Sequence, residues 1–210
     1  MDLKVVPYER DELLLARCRK SGRPEIEAYR PDSTELVMGR GSRVELELEA
    51  SICQEDELRV SRRLGGGCAV ILDAGNLVLS VALPLPGVGG VRAVFNDLTK
   101  WVIEGLGRAG LSDVEKAGSS DLALLGKKVG GSCVYRAKGF FLYSTTLLFR
   151  PPIDAAERYL GHPPREPDYR AARRHSDFMG SLDSEGDLET WLQRLREVFT
   201  PDTLPESANQ

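Results

Sequence analysis

The sequence predicts an α+β fold, a largely antiparallel sheet with helices packed on one side. Three features point there. Apolar runs of strand length recur through the middle of the chain. Hairpin-type connections between them outnumber strand–helix–strand crossovers, and helical apolar spacing appears mainly near the ends and once at the centre. With 210 residues and 41% hydrophobic content, the chain can bury one core as a single domain.

Glu9 to Lys20 reads as a short helix whose apolar content comes from Leu13, Leu14 and Leu15. Glu25–Arg30 and Glu35–Arg40 read as strands around a Pro31-Asp32 turn. Val44–Ala50 alternates apolar and acidic residues, the period-2 pattern of a half-buried strand. Leu58–Leu64 is a strand running into a glycine-rich loop. Cys68–Asp73 and Leu77–Leu83 flank Ala74-Gly75-Asn76, a hairpin signal. Asn96 can cap a helix that buries Leu98, Trp101, Val102 and Leu106 and ends at Gly107 and Gly110. Strands Lys127–Tyr135 and Phe140–Phe149 follow, joined near Lys138-Gly139. Helical spacing returns at Asp154–Leu160 and is strongest at Leu188–Phe199. The polar segment after Pro201 reads as a disordered tail. The sum is about nine strands and four helices.

Several function classes are set aside by composition. Cys18, Cys53, Cys68 and Cys133 form no Cys-x-x-Cys and no small-scaffold spacing, so reduced thiols are expected. Only His162 and His175 are present, without His-Glu-x-x-His, and no metal site is expected. No run approaches the ~20 apolar residues of a membrane span, and the first residues carry neither a signal core nor a transit pattern. A cytoplasmic protein off the membrane is the expectation. The net charge of −4, from 28 basic and 32 acidic residues, argues against nucleic-acid binding. The basic stretch Arg165–Arg174 lacks an aromatic stacking array and reads as a solvated or carrier-docking surface.

Two segments carry chemistry. In Arg62-Arg63-Leu64-Gly65-Gly66-Gly67-Cys68-Ala69-Val70, three glycines let the backbone wrap closely and expose its amides, while two arginines add forked cationic donors. The pattern is neither a Walker loop nor a Rossmann loop. In Gly126-Lys127-Lys128-Val129-Gly130-Gly131-Ser132, strand alternation puts Lys128 and Gly130 on one face, where the lysine can grip a carboxylate and a phosphate together. Each alone reads more readily as a turn with solvated cations. Jointly they suggest a site for a nucleotide plus a small acid. A carboxylate is a poor acyl donor, and a mixed anhydride with AMP supplies its leaving group. That step needs clustered positive charge around the transferring phosphoryl group.

These residues resemble the lipoate–protein ligase A family. The run from Arg62 to Val70 with Asp73-Ala74-Gly75-Asn76 is similar to its Arg-Arg-x-Ser-Gly-Gly-Gly-Ala-Val and His-Asp-x-Gly-Asn segments. Leu36–Arg40, Ser120–Leu124, the Lys128 loop and Tyr159–Arg170 resemble further segments in the same order, the last as in short single-domain members. The resemblance spans about residues 25 to 182. It implies a class II synthetase-like catalytic domain, shared with biotin ligases and octanoyltransferases, over residues 1–200. It implies an ATP-dependent ligase that uses Mg2+ and lipoate, forms an acyl-adenylate and modifies a lysine of a lipoyl-domain or H-protein-like carrier. Carried over by position, Lys128 contacts the acyl carboxylate and adenylate phosphate, and Arg63 binds the adenylate. Cys68, Ala69, Val70 and Ile71 surround the nucleotide after the Gly66-Gly67 bend. Asn76 lies near the phosphates, with Gly131 and Ser132 as further contacts.

The sequence departs from the family pattern at Gly65, Cys68, Leu72 and Tyr143-Ser144-Thr145, and these changes bear on the pocket lining. Many ligases carry an accessory C-terminal domain for adenylation that is not seen here. A separate small accessory subunit or a compact variant is implied. Two alternatives stand beside the ligase: an ATP-independent octanoyl or lipoyl transferase forming a thioester on Cys133, and a non-catalytic binder of the lipoyl group or carrier.

Overall fold

The computed structural model describes residues 3–87, 89–183 and 185–208. The first half runs β1 (Val5–Pro7), α1 (Glu9–Ser21), β2 (Glu25–Tyr29), β3 (Glu35–Met38), α2 (Val44–Glu47), α3 (Ala50–Glu55), β4 (Arg59–Arg62), β5 (Val70–Leu72) and β6 (Asn76–Pro84). The second runs α4 (Val91–Ala109), β7 (Glu115–Ala117), β8 (Asp121–Leu124), β9 (Lys127–Ala137), β10 (Phe140–Leu148), α5 (Ile153–Tyr159), α6 (His175–Phe178) and α7 (Leu188–Val198).

The large sheet has the order β2-β6-β10-β9-β8-β7, and all its pairs are antiparallel. Its central strands β6 and β10 alternate strictly. Leu77, Leu79, Val81 and Leu83 of β6, with Phe141, Tyr143 and Leu147 of β10, face the main core, where Leu98, Trp101, Val102 and Leu106 of α4 and Trp191, Leu192 and Leu195 of α7 meet them. Burying each such side chain stabilises the fold by ~1.5–3 kcal/mol. Gly105 brings α4 against Phe199, because a Cβ there would lie 2.1 Å from the phenyl ring. The opposite face of the large sheet packs against α1 through Leu14, Leu15, Ala82 and Leu142.

A second, four-stranded sheet has the order β1-β4-β3-β5, with β1–β4 and β3–β4 parallel and β3–β5 antiparallel. Tyr8, Val37 and Leu72 from this side join Tyr29 and Val78 of the large sheet in one buried cluster. The two sheets therefore meet at an apolar seam, and the site described below opens from it. Among the described residues, no helix is long and apolar enough to cross a membrane.

The α+β architecture, the mostly antiparallel main sheet and the strong helix at its C-terminal end match the expectation, but the helices are not confined to one side: α4 and α7 cover one face of the large sheet and α1 the other. Several elements differ. Val44–Ala50 is not a strand: Val44–Glu47 is a helical turn, Leu46 is 44% exposed and Glu47 only 5%. Glu47 has polar partners inside the protein, and these outweigh the alternating pattern. The two apolar runs around Ala74-Gly75 form no hairpin, since β5 pairs with β3 and β6 with β2 and β10. The chain instead changes sheets there, pressed so closely to Arg150 that a Cβ on Gly75 would meet its carbonyl oxygen at 2.2 Å. Asn96 does not start α4, which begins at Val91 after Gly90 in the left-handed region. The segment after Pro201 is ordered as far as it is described. Two 310 turns, Pro201–Thr203 and Glu206–Ala208, bury Leu204 and Ala208 in the main core. Residues 209–210 of the expected tail lie outside the described residues.

Candidate active site

Between the sheets lies a cavity of about 980 Å3. Its floor is one face of the large sheet. Asp121 pairs with Gly131, Gly131 with Thr146, Thr146 with Val78 and Val78 with Tyr29, so these five residues form a row across β8, β9, β10, β6 and β2. Directly paired residues share a face, and all five line the cavity or, at Tyr29, close it. A second row contains Cys133, Ser144 and Ser80, the two serine hydroxyls 2.8 Å apart. Val37, Val70 and Leu72 of the small sheet form the roof. The segment after α5 covers the other end with Tyr169, Arg170 and Phe178.

Lys128 stands where floor, roof and cover meet. Its Nζ is 2.8 Å from Asp121 Oδ1, and Asp121 Oδ2 accepts a 2.9 Å hydrogen bond from the Tyr169 hydroxyl. Burial first, then the Asp121 charge, pushes the Tyr169 phenol far above its usual range. The hydroxyl therefore stays protonated and donates. The expectation that Lys128 shares a face with Gly130 is corrected by a β-bulge, a register shift opposite Leu122/Ala123 that resets the alternation. Gly130 faces Leu122, whereas Lys128 reaches over Gly131: a Cβ there would lie 3.1 Å from its Nζ. The main chain of Lys128 is also pinned, its carbonyl accepting from Gly180 N at 2.8 Å.

Arg63 organises the glycine-rich loop. Its Nη1 donates to Val37 O at 2.8 Å, and its Nη2 donates to Gly66 O at 2.7 Å and Cys68 O at 2.8 Å. The guanidinium is thus engaged with backbone carbonyls and shapes the loop around itself. Gly39 admits the loop, because any Cβ there would overlap Gly67 O at 1.9 Å. The sequence reading missed Glu47. Its Oε2 accepts from Ala69 N at 2.6 Å and from Ser42 Oγ at 2.9 Å, tying α2 to the loop from inside the cavity wall. It also missed Asp11, buried on α1, whose Oδ2 accepts from Leu64 N at 2.9 Å. Burial pushes the Asp11 carboxyl up to about 6, partly offset by the Leu64 amide and the Arg63 charge.

The structure brings Lys128, Arg63, Gly67, Cys68, Ala69, Val70, Ile71 and Gly131 around this one cavity. Three sequence candidates stand differently. Gly66 is exposed at the loop's outer bend and does not line it. Asn76 is fully buried beneath the sheet crossing, its Nδ2 donating to Asp73 Oδ1 at 3.0 Å and to Ile71 O at 3.4 Å. Ser132 reaches the cavity only along its main chain, because alternation turns its hydroxyl to Tyr143 at 2.8 Å on the helical side. Cys133 lies on the cavity face under Gly65, where a Cβ would meet its Sγ at 2.5 Å. Burial pushes the thiols of both Cys133 and Cys68 up, so neither is predisposed to be a thiolate.

The basic stretch is not an open cationic patch. Arg170 is 4% exposed over the Phe178 ring, Arg173 donates to Tyr169 O and Gly126 O, and Arg174 pairs with Glu157 at 3.2 Å. Arg173 thus fastens the cover to the Lys128 hairpin, while Arg170 holds the cover together from within and Arg174 ties it to α5. Among the described residues, no group of three or more His, Cys, Asp or Glu side chains is placed to hold a metal ion.

Comparison with known proteins bears on this geometry. A family model described as the lipoyl protein ligase A/B catalytic domain matches residues 6–200. The chain is 28% identical over 160 residues to a probable lipoate-protein ligase A of Mycoplasma pneumoniae, covering 75% of this chain and 47% of that protein. It is 30% identical over 119 residues to a lipoate-protein ligase of Bacillus subtilis, covering 57% of this chain and 35% of that one. The chain spans less than half the length of these curated relatives. Among solved structures, a bi-partite lipoate protein ligase from Thermoplasma acidophilum, described with its E2 lipoyl domain, superposes with a TM-score of 0.74 at 22% identity, over 96% of this chain and 81% of that one. A lipoate-protein ligase A bound with ATP gives a TM-score of 0.70 at 20% identity, over 97% and 85%. These two share the fold, and the family model covers nearly the whole chain: it belongs to the lipoyl protein ligase A/B catalytic domain family.

Proposed function

We propose that this domain activates lipoate, or a similar eight-carbon acid, with ATP and passes the acyl group to a lysine of a lipoyl carrier domain. The observation that carries this reading is the position of Lys128, its ammonium over side-chain-free Gly131 at the junction of an apolar slot and a glycine-rich loop. An acid lying in the slot would present its carboxylate to that ammonium, and a nucleotide phosphate in the loop would share the same charge. The carboxylate oxygen attacks the α-phosphorus, pyrophosphate leaves, and a mixed anhydride forms. The carrier's amine then attacks the acyl carbon, forms the amide and releases AMP. Lys128 stabilises the negative charge of both steps, an effect worth several kcal/mol when the donor is held in place beforehand. Asp121 and Tyr169 hold the lysine. Mg2+ would arrive on the phosphates and keep most of its waters, with Asp121 and Glu47 among the cavity carboxylates that could hold it.

The relatives support this reading. One of the matching folds carries ATP, and another is described with its lipoyl domain. That second ligase is bi-partite, which supports an accessory unit supplied on a separate chain. Incubation with ATP, Mg2+, lipoate and a lipoyl domain, with and without a relative's accessory subunit, tests the proposal by intact mass. A carrier lipoylated only when ATP is present is expected. Transfer from an acyl carrier without ATP, or no transfer in either mixture, refutes it.

A further inference from the structure

Among the described residues, three arginines line the cavity, Arg63, Arg165 and Arg170, and they differ in what their side chains already hold. Arg63 has both Nη atoms engaged with the carbonyls around its loop. Arg165 is exposed. Arg170 is 4% exposed, and its Nε donates to Arg173 O at 3.0 Å. Neither of its Nη atoms has a hydrogen-bond partner among the described residues, and Nη2 is buried. A guanidinium presents its donors in a rigid fork, and buried donors are nearly always paired. Most of this fork is unclaimed. Its ion-pair partner, Glu166 Oε2, lies 3.4 Å from Nε and is shared with His162 at 2.9 Å. The fork is nevertheless held in place: Arg170 N donates to Pro167 O at 2.8 Å, and the guanidinium lies 4.8 Å over the Phe178 ring. Its place in the cavity is also defined. Tyr169, the preceding residue, reaches Asp121, which holds Lys128. Burial lowers the Arg170 pKa, and the charges of Glu166, Glu157 and Asp121 oppose that. In the floor row, Asp121 and the apolar slot lie on opposite sides of Gly131. Arg170 thus stands on the side of Lys128 away from the slot.

We propose that Arg170 binds the β- and γ-phosphates of the nucleotide and holds the pyrophosphate as it leaves. The proposal rests on the ligase reading above. Phosphate oxygens match the guanidinium fork, and an anion is what a buried, under-paired cation lacks. The acid's carboxylate is the other anion this site takes, but it meets Lys128 from the slot, on the opposite side. In the first step the carboxylate oxygen bonds to the α-phosphorus. The bond from that phosphorus to the bridging oxygen breaks, and its electron pair stays on the oxygen. Negative charge therefore grows on the pyrophosphate. Arg170 donates its Nη hydrogens to that charge and transfers no proton, while Lys128 serves the carboxylate and the α-phosphate. The second step, attack of the carrier amine on the acyl carbon, involves no pyrophosphate. Arg170 has no part in it.

The test uses the full chain with Mg2+ and measures, by calorimetry, the binding of ATP, AMP, lipoate and a non-hydrolysable lipoyl-sulfamoyl adenosine. Each ligand is added alone, so ATP binds without reacting, and the analogue lacks the β- and γ-phosphates. Arg170→Gln should weaken ATP by about tenfold or more, ~1.4 kcal/mol, and leave the analogue within about twofold. Arg170→Lys, which keeps the charge without the fork, should weaken ATP by about threefold. Should the glutamine variant fail to fold, the lysine variant carries the same comparison. Transfer from preformed lipoyl-adenylate to a lipoyl domain should keep its rate within about twofold in either variant. A folded variant that binds ATP as the unmodified protein does overturns the proposal. So does one that loses ATP, analogue and transfer alike, which makes Arg170 a brace of the cover alone. Weakened lipoate with ATP unchanged gives the fork to the carboxylate and overturns it too, as does an unmodified protein that holds ATP no more tightly than AMP. An unmodified protein that binds neither nucleotide nor analogue overturns the ligase reading itself.

Discussion

Replacing Glu47 with alanine probes whether a buried carboxylate holds the glycine-rich loop in its working shape. Glu47 Oε2 takes a 2.6 Å hydrogen bond from Ala69 N and a 2.9 Å one from Ser42 Oγ. A hydrogen bond to an ionised partner contributes ~1.5–3 kcal/mol, and a buried donor left without one costs a similar amount. Ser42 keeps an alternative acceptor, Gly67 O at 3.1 Å, so most of the loss falls on the Ala69 amide. Glu47→Ala is therefore expected to lower unfolding stability by ~2–3 kcal/mol. Glu47→Gln, which retains an acceptor oxygen without the charge, should lose ~1 kcal/mol. The denaturant midpoint at constant slope reads this directly. Because Ala69 lines the cavity, KM for ATP should also rise, about tenfold in the glutamine variant, equivalent to ~1.4 kcal/mol. A loss below ~0.5 kcal/mol with KM for ATP unchanged would refute the bracing role.

Three further outcomes are expected. Lys128→Ala should reduce lipoate-dependent ATP–pyrophosphate exchange by ~100- to 1,000-fold, with the melting curve retained because the side chain is 27% exposed and not part of a core cluster; substantial exchange in that variant removes the mechanism. Cys133→Ser should leave ATP-dependent lipoylation nearly intact, since burial keeps the thiol protonated; complete loss of transfer would favour the thioester route. Asp11 has its carboxyl raised to about 6 from 3.8, so the folded state binds the proton more tightly than the unfolded chain. Its contribution is most favourable below about pH 4, declines as pH rises to about 6 and is flat above. Asp11→Asn should flatten that segment of the stability–pH curve and add on the order of 1–3 kcal/mol at pH 7.5. Urea titrations across pH 4–7.5 check this, and a variant less stable than the parent at pH 7.5 contradicts it.

Leu188–Phe199 was legible as a helix because its apolar spacing is a local record of which face is buried, and Trp191, Leu192 and Leu195 do enter the core. The two cationic, glycine-lined segments were legible for a similar reason, since glycine triplets and a lysine between glycines announce unusual backbone wherever they fall. Periodicity names a buried face without naming what covers it. Val44–Ala50 alternates as a strand would, yet Glu47 is the buried residue because the Ala69 amide awaits it from another part of the chain. The runs around Ala74-Gly75 are both strands, but their allocation to different sheets depends on β3 and β10, which lie far off in sequence. One bulge opposite Leu122/Ala123 moves Lys128 from the partner that alternation assigns to Gly131. Tyr29 becomes the end of the slot only through a row of pairings across five strands. Local chemistry was set by the order of residues. Which side chains share a cavity was decided by register and sheet membership, because these are properties of contacts between distant segments.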